Sequence, residues 1–241
     1  MTTDTPRTAT PPRYGARAAR RNLAAAFALA LAAFAVAAQD APPPAVPGPV
    51  TIVALGDSLT QGYGLPEPEG FVPQLQAWLR ANGAPQATVI NAGVSGDTTA
   101  GGLARIGWTL EGEADAVIVA LGGNDLLRGL APEESRANLD GILAAIEARG
   151  LPVLLAGLPA PANYGPEFQA AFDAMFPELA EAHGAALYPN FLAGLAEGRD
   201  LAAARHLMQP DGIHPNAAGV EAIVAAIGPA ALALAVAAAG D

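Results

Sequence analysis

The stretch from Val50 to Thr60 reads VTIVALGDSLT and decides the predicted fold. Its apolar, β-branched segment Thr51–Leu55 is typical of a strand buried on both faces of a parallel sheet, where polar residues are not needed at alternate positions. Gly56 and Asp57 follow, so the hydroxyl of Ser58 lies where the strand gives way to a loop. This is a suitable position for a nucleophile, although a serine directly after a strand is more commonly a helix N-cap.

The rest of the chain repeats this pattern, with short apolar runs alternating with longer helical ones. The predicted strands are Thr51–Leu55, Thr88–Asn91, Ala116–Leu121, Val153–Ala156 and Ala185–Tyr188. Helices are predicted over residues 71–82, 99–110, 133–149 and 167–182, and from Ala217 into the 230s. The alternation predicts one α/β domain with a five-stranded parallel sheet covered on both faces. Because parallel strands are joined by right-handed crossovers, ligands are expected beyond the carboxyl ends of the strands.

The composition excludes several classes of chemistry. The chain has 241 residues, and all 12 of its basic residues are arginine, so P-loop phosphate binding and a lysine aldimine are excluded. It has no cysteine, which excludes disulfides, thiolate metal sites and cysteine nucleophiles, and its three histidines leave little material for a histidine-rich metal site. We therefore expect neither a metal nor an organic cofactor.

The first 38 residues have the layout of a secretory signal peptide. Five arginines precede the apolar run from Leu23 to Ala38, which ends in small residues, and cleavage is predicted after Ala38. A membrane anchor is the alternative, but 16 alanine-rich residues are fewer than the roughly 20 that span a bilayer. Arg20-Arg21 also has a weak likeness to a twin-arginine signal. The expected organisation is a signal peptide at 1–38, a proline-rich tether at 39–49 and one domain at 50–241, in a periplasmic or secreted protein.

The exported part is strongly acidic. The whole chain has a formal charge of −11, and removal of residues 1–38 takes away five arginines and one aspartate, which leaves 203 residues with a formal charge of −15. Such a surface repels nucleic acid and anionic membranes, so the expected partner is a small apolar or neutral substrate. The oligomeric state is not indicated. The apolar run at 222–239 raises the possibility of a membrane span, but Gly228-Pro229 and the many alanines favour a packed helix.

Two further loops, Asn91–Thr99 and Gly122–Asp125, follow the second and third predicted strands. Glycine lets backbone N–H groups approach a ligand closely, and an asparagine amide donates a hydrogen bond without carrying charge, which suits a developing oxyanion. Glycine and asparagine are also ordinary turn residues. Each loop alone leaves both alternatives open.

The segment Asp211-Gly212-Ile213-His214-Pro215 places a carboxylate three residues before a histidine, just ahead of the last predicted helix. A serine nucleophile needs an imidazole to take its proton, and the imidazole needs a carboxylate on its other nitrogen. The alternative is a helix cap or a surface pair. His183 ends a helical stretch and His206 lies in an alanine-rich segment, so we expect both to be structural or solvated.

Four blocks now occur in one order along the chain: Gly56-Asp57-Ser58-Leu59, Ser95-Gly96-Asp97, Gly122-Gly123-Asn124-Asp125 and Asp211-Gly212-Ile213-His214-Pro215. In order and spacing the chain resembles the SGNH (GDSL) hydrolase family over about residues 50–227. Leu158-Pro159 and Pro161–Gly165 resemble its periplasmic acyl-CoA thioesterase I, arylesterase and lysophospholipase L1 branch. The spacing of Pro159-Ala160-Pro161 departs from that branch, which leaves the acyl-chain preference open. The G-x-S-x-G elbow of ordinary α/β-hydrolases is missing.

The resemblance implies a flavodoxin-like three-layer α/β/α sandwich with a five-stranded parallel sheet. It implies Ser58 as nucleophile, His214 as general base and then acid, and Asp211 as the residue that orients His214. It also implies an oxyanion hole made by the N–H groups of Ser58 and Gly96 and the amide of Asn124.

The implied function is that of an exported serine esterase or thioesterase acting on carboxylic esters, acyl thioesters or lysophospholipids through an acyl-serine intermediate. A carbohydrate O-acetylesterase of the same family and a non-catalytic domain that binds a small ligand are the alternatives. Several apolar side chains near the loops are candidates for an acyl groove or for plain core: Leu65, Phe71, Trp108, Leu126, Leu127, Leu158 and Tyr164.

Overall fold

Five parallel strands form one sheet in the computed structural model, which describes Met1 and residues 46–195 and 204–240. The strands are β1 (Val50–Gly56), β2 (Ala87–Gly93), β3 (Ala116–Ala120), β4 (Val153–Ala156) and β5 (Ala186–Tyr188). Their spatial order is β2-β1-β3-β4-β5, so β1 and β3 lie side by side in the interior. The predicted signal peptide and the first part of the predicted tether lie outside the described residues.

Seven α-helices are described, namely α1 (Ser58–Gln61), α2 (Phe71–Ala81), α3 (Thr99–Thr109), α4 (Gly123–Leu127), α5 (Pro132–Glu147), α6 (Pro166–Ala182) and α7 (Ala217–Ala239). Single turns of 3₁₀ helix occur at Glu67–Glu69, Ala162–Tyr164, Ala193–Leu195 and Arg205–Leu207. The helix starts follow local chemistry. The side chains of Thr98 and Asn216 accept hydrogen bonds from the first turns of α3 and α7, and α5 and α6 begin with a proline, whose missing N–H costs nothing there.

The helices form two layers on the sheet. Alternate residues of a strand point to opposite faces, so Ile52 and Ala54 of β1 contact the core that α2 and α7 cover, and Leu55 contacts the core under α3, α5 and α6. Burying one such leucine or isoleucine contributes about 1.5–3 kcal/mol. The three-layer sandwich predicted from the resemblance is confirmed.

The C-terminal helix α7 is a packed element of this sandwich. It has 23 residues and a mean hydropathy of 2.3 in its most apolar window, and by length and composition it is the one helix among the described residues that could span a membrane. Ten of its residues are buried in the domain, including Ile223, Ile227 and Leu232 at 4% exposure or less. These contacts are those of a core helix, the alternative that Gly228-Pro229 favours.

The last residues of the predicted tether are attached to the domain. Val46 is buried, and its N–H donates a hydrogen bond to the carbonyl of Gly83 at 2.8 Å. The packing of the domain therefore includes Val46, which precedes β1.

Strand register places the loops of interest together. Gly56, the last residue of β1, pairs with Gly93 of β2 on one side and with Ala120 of β3 on the other. The carboxyl ends of these three strands therefore lie at one level. The loops that begin at Asp57, Val94 and Leu121 emerge next to one another.

Candidate active site

Ser58 is the first residue of α1, two residues after the last residue of β1. Asp57 caps this one-turn helix, because its Oδ1 accepts the N–H of Leu59 at 3.0 Å. A Cβ on Gly93 would lie 2.3 Å from the nitrogen of Gln61, so only glycine lets α1 pack against the end of β2. The local sequence thus fixes the serine at the edge of the sheet.

Ser58, His214 and Asp211 form one chain of hydrogen bonds. The Nε2 of His214 lies 2.9 Å from the Oγ of Ser58, and its Nδ1 lies 2.7 Å from the Oδ2 of Asp211. The Oδ1 of Asp211 accepts the N–H groups of Ile213 at 2.9 Å and of His214 at 3.0 Å. Ser58 is 156 positions from His214, and the fold brings the two residues into contact.

The carboxyl group of Asp211 is held in its charged form. The backbone N–H of His214, the imidazole of His214 and the N–H of Ile213 all donate to it, in that order of importance, and they lower its pKa to about 2. A carboxylate that receives several N–H bonds is stabilised relative to its neutral acid. Asp211 is therefore suited to hold one imidazole tautomer and to stabilise an imidazolium.

Hydrogen bonds and an aromatic ring contact hold the loop that carries His214 in place. The backbone N–H of Gln209 donates to the carbonyl of His214 at 2.7 Å. The Nε2 of Gln209 donates to the carbonyls of Tyr63 and Pro215 at 2.8 and 2.9 Å. The ring of Tyr63 lies 4.6 Å from the imidazole, centroid to centroid, at an angle of 38°. These contacts give the imidazole a defined position.

Asn124 reaches the same edge of the sheet from α4. Its Nδ2 donates to the Oδ2 of Asp57 at 3.3 Å, so the amide lies beside the serine loop. Gly96 lies in the loop after β2, and its carbonyl accepts a hydrogen bond from the Nη2 of Arg128 at 2.7 Å. The Gly96 N–H has no acceptor within residues 46–195 and 204–240. The first N–H of a helix likewise has no partner within that helix, and for α1 this is the N–H of Ser58.

Two polar networks that hold these loops are not predicted by sequence reasoning. Arg105 bridges the loops after β2 and β1, because its Nε donates to Asp97 at 2.8 Å and its Nη2 to the carbonyl of Gly56 at 3.0 Å. Asp125 is 1% exposed and accepts from the N–H and hydroxyl of Thr99 and the hydroxyl of Ser135, which joins α4 to α3 and α5. The Gly-Asn-Asp block quoted above signals Asp125, but its partners are distant in sequence.

The other two histidines lie outside this hydrogen-bond chain. His206 is exposed, and its carbonyl accepts from Asn216. His183 follows α6 at the amino end of β5, the opposite edge of the sheet, and contacts Asp140 and Glu147 of α5. No group of three or more His, Asp or Glu side chains that could hold a metal ion is found in the described part of the chain.

Burial and contacts show where five of the seven groove candidates lie. Phe71 and Leu126 are buried core residues, and Trp108 is 73% exposed at the end of α3 that is remote from the serine loop. Trp108 therefore does not belong to an acyl groove at this edge. Leu127 is 61% exposed next to Arg128, and the hydroxyl of Tyr164 donates to the carbonyl of Leu126 at 2.6 Å, so these two residues lie near the loop after β3.

Comparison with known proteins assigns the chain to a family. The profile of the GDSL-like lipase/acylhydrolase family matches residues 54–222. Esterase TesA of Pseudomonas aeruginosa is 41% identical over 166 residues, which cover 68% of this chain and 79% of that protein. Thioesterase 1/protease 1/lysophospholipase L1 of Escherichia coli is 36% identical over 167 residues, which cover 69% of this chain and 76% of that protein.

Among solved structures, AlinE4, an SGNH-hydrolase family esterase, is 46% identical and superposes with a TM-score of 0.63. The match covers 76% of this chain and 95% of AlinE4. The family predicted from the four sequence blocks is thereby confirmed. This chain belongs to the GDSL-like lipase/acylhydrolase family and is an enzyme that hydrolyses ester bonds.

Proposed function

We propose that the protein is an exported serine hydrolase that cleaves carboxylic esters and acyl thioesters through an acyl-serine intermediate. Ser58 is the nucleophile, His214 the general base and then acid, and Asp211 the residue that orients His214. The observation that carries the proposal is the continuous chain of hydrogen bonds from Ser58 Oγ through the His214 ring to Asp211, at 2.9 and 2.7 Å. This arrangement is the one that activates a serine hydroxyl at neutral pH.

Acylation follows from these contacts. The Oγ of Ser58 attacks the carbonyl carbon while its proton moves to Nε2 of His214, and the carbonyl π electrons move onto oxygen. When the tetrahedral intermediate collapses, the bond from carbon to the leaving oxygen or sulfur breaks, and His214 returns its proton to the leaving group. Water then repeats the sequence on the acyl-serine, which releases a carboxylic acid and regenerates the hydroxyl.

The oxyanion of the tetrahedral intermediate needs donors that are already in place. The N–H groups of Ser58 and Gly96 and the side-chain amide of Asn124 are the donors of this proposal. The free Gly96 N–H and the position of Asn124 beside Asp57 support it. Losing one such donor typically lowers kcat about 10²–10³-fold.

The substrate class is inferred from the relatives and from charge. The names of the similar proteins describe esterase, thioesterase and lysophospholipase activities. Exposed apolar side chains occur on loops that carry or flank the site, among them Tyr63, Leu127 and Ile213, and they suit an acyl chain. With a formal charge of −11 for the chain, neutral or zwitterionic acyl esters fit better than polyanions.

Export belongs to the same proposal. Residues 1–38 carry the basic, apolar and small-residue order of a cleaved signal peptide. The intact mass of the protein recovered from a secreting host is expected to be that of a chain that begins at Gln39. A cytosolic product that keeps Met1 would contradict export while leaving the hydrolase proposal standing.

The hydrolase proposal is tested by substituting Ser58→Ala and measuring hydrolysis of an acyl-chain series, as p-nitrophenyl esters and as acyl thioesters. We expect kcat to fall by about 10⁴-fold or more for every substrate. Ser95→Ala is the matched control, because its hydroxyl faces Gln61 at 3.0 Å rather than an imidazole, and it should stay within about threefold of wild type.

Two outcomes would change the assignment. Retained activity in Ser58→Ala would show that the nucleophile is another group. Faster turnover of acetylated sugars than of every acyl ester and thioester would instead indicate a carbohydrate O-acetylesterase with the same machinery.

A further inference from the structure

Asp57 is a buried carboxylic acid next to the nucleophile, and the hydrolytic steps above make no use of it. It is 4% exposed, and both of its oxygens are engaged. Oδ1 accepts the N–H of Leu59 at 3.0 Å, and Oδ2 lies 3.3 Å from Nδ2 of Asn124. Burying a carboxyl group is costly unless its oxygens are hydrogen-bonded. A helix cap alone requires only one oxygen.

The second oxygen is directed at the amide of Asn124. An asparagine Nδ2 carries two hydrogens, so one can be held by Asp57 while the other is directed at a substrate oxygen. The acceptor also decides which way the amide is turned, because the carbonyl oxygen of Asn124 would be repelled by the carboxylate. Asp57 can therefore select the one amide orientation in which a donor faces the oxyanion.

The neighbouring residue makes room for this contact. A Cβ on Gly123 would lie 3.1 Å from the Oδ2 of Asp57, which is tighter than ordinary van der Waals contact. Glycine at this position lets the turn that carries Asn124 approach the carboxylate closely.

We propose that Asp57 is a positioning residue that fixes the side-chain amide of Asn124 as an oxyanion donor. The inference rests on the proposed function, because it needs Asn124 to contact the reacting oxygen. It predicts that the carboxylate acts on catalysis through Asn124 and has little effect once that side chain is removed.

The carboxyl group is also able to change its charge in the working range. Burial raises the pKa of Asp57 to about 6, against the opposing effects of the Leu59 N–H, the His214 charge and the Asn124 amide. Below that pH one of its oxygens carries a proton and cannot accept from both Leu59 and Asn124. Among the described residues, the ionisable side chains that contact this loop are His214, through Ser58, and Arg105, through the carbonyl of Gly56.

The test is a double-substitution cycle of Asp57→Asn and Asn124→Ala on a p-nitrophenyl ester. Asparagine is as good an N-cap as aspartate, so Asp57→Asn keeps the Leu59 bond and sets one NH₂ group against another at Asn124. We expect kcat to fall about tenfold with KM within about twofold, and Asn124→Ala to lower kcat about 10²-fold. The double variant should match Asn124→Ala within about twofold.

The pH dependence of kcat separates a positioning role of Asp57 from a purely structural one, because a structural role would not change with pH in this way. The ratio of wild-type to Asp57→Asn kcat should be about ten at pH 8 and approach one below pH 6, because the neutral acid and the amide both lack the second acceptor. In the Asn124→Ala background the same ratio should be flat. If Asp57 acted instead through the charge of His214, the ratio would still depend on pH in the Asn124→Ala background. The two effects are therefore distinguishable.

Asp125→Asn is the matched control, since Asp125 is the neighbouring buried carboxylate and binds Thr99 and Ser135 instead. Its effect on kcat should be the same in both backgrounds. If Asp57→Asn does not fold, Gly123→Ala, which crowds the same oxygen, replaces it in the cycle.

The inference is overturned if the kcat of Asp57→Asn stays within twofold of wild type. It is also overturned if the fold loss of kcat in the double variant equals the product of the losses in the two single variants. A loss below about threefold for Asn124→Ala would instead remove Asn124 from the oxyanion hole. That result would contradict the proposed function itself, so the two failures are distinguishable.

Discussion

Two histidines of this protein each contact an aspartate, at opposite edges of the same sheet, and they differ in what the second ring nitrogen faces. His214 contacts Asp211 through Nδ1 and the hydroxyl of Ser58 through Nε2. His183 contacts Asp140 through Nε2 at 2.9 Å and Glu147 through Nδ1 at 3.0 Å. An imidazole between a carboxylate and a hydroxyl can take up and return a proton. One between two carboxylates is favoured in its cationic form and links the end of α6 to α5.

The comparison shows that a histidine near an acid is a weak indicator of catalysis. Hydrogen bonds from Asp140 and then Glu147 raise the pKa of His183, which favours its charged form. At the other edge, the low pKa of Asp211 reports a carboxylate that is fixed by the loop around it. The partner of the second nitrogen, rather than the acid, separates the two sites.

The largest expected effect on kcat comes from replacing each of the two imidazoles in turn, which tests this comparison. His214→Gln should lower kcat by about 10⁴-fold or more, because within residues 46–195 and 204–240 the Oγ of Ser58 is hydrogen-bonded to no other base. His183→Gln should leave kcat within about twofold. Initial rates on a p-nitrophenyl ester measure both. Comparable losses in the two variants would contradict the separation into a catalytic and a structural histidine.

A second prediction sharpens the role of the acid. Asp211→Asn should lower kcat about 10³–10⁴-fold, because an amide on Nδ1 no longer holds the imidazole tautomer or stabilises its cation. Since the pKa of Asp211 is about 2, its charge is present above the ordinary carboxyl pKa and is lost only as the pH falls toward 2. The loss should therefore persist at every pH from 5 to 8. A loss that disappears within this range would indicate that another group orients His214.

The smallest effect concerns stability at the opposite edge. The pKa of His183 is raised in the folded state, so its contribution is fully present below the unfolded value and is lost as the pH rises through the folded value. Both acids are largely exposed, so His183→Gln should cost only about 1 kcal/mol at pH 5.5, or about 2–4 °C in Tm. The difference should shrink at pH 9. Thermal unfolding followed by circular dichroism measures it, and a difference independent of pH would show that packing, not the ion pairs, is lost.

Much of the architecture follows from sequence patterns alone. Each predicted strand is found within two residues of its expected ends, and four of the five longer helices begin where proline, threonine or asparagine favours a start. Helices α1 and α4 are not predicted, because helices of four and five residues are too short to show a periodicity. They nevertheless carry Ser58 and Asn124. The least periodic segments of the chain are the ones that form the site.

The contacts that shape the site are not visible in sequence. The pairs Asp57 with Asn124 and Asp125 with Thr99 join segments that are 67 and 26 residues apart, and only the register of β2, β1 and β3 brings them together. Trp108 shows that closeness in sequence to a site loop does not place a residue at the site. It is close in sequence to the loop after β2, but α3 carries it away from the carboxyl edge of the sheet.

The central claim is that His214 makes the hydroxyl of Ser58 a nucleophile, and covalent labelling tests it most directly. Wild-type protein is incubated with an activated organophosphonate, and the adduct is measured by intact mass and located by peptide mapping. We expect one adduct per chain, on Ser58, with none in Ser58→Ala and a labelling rate at least a hundredfold lower in His214→Gln. A modification on a different residue, or equally fast labelling without His214, would contradict it.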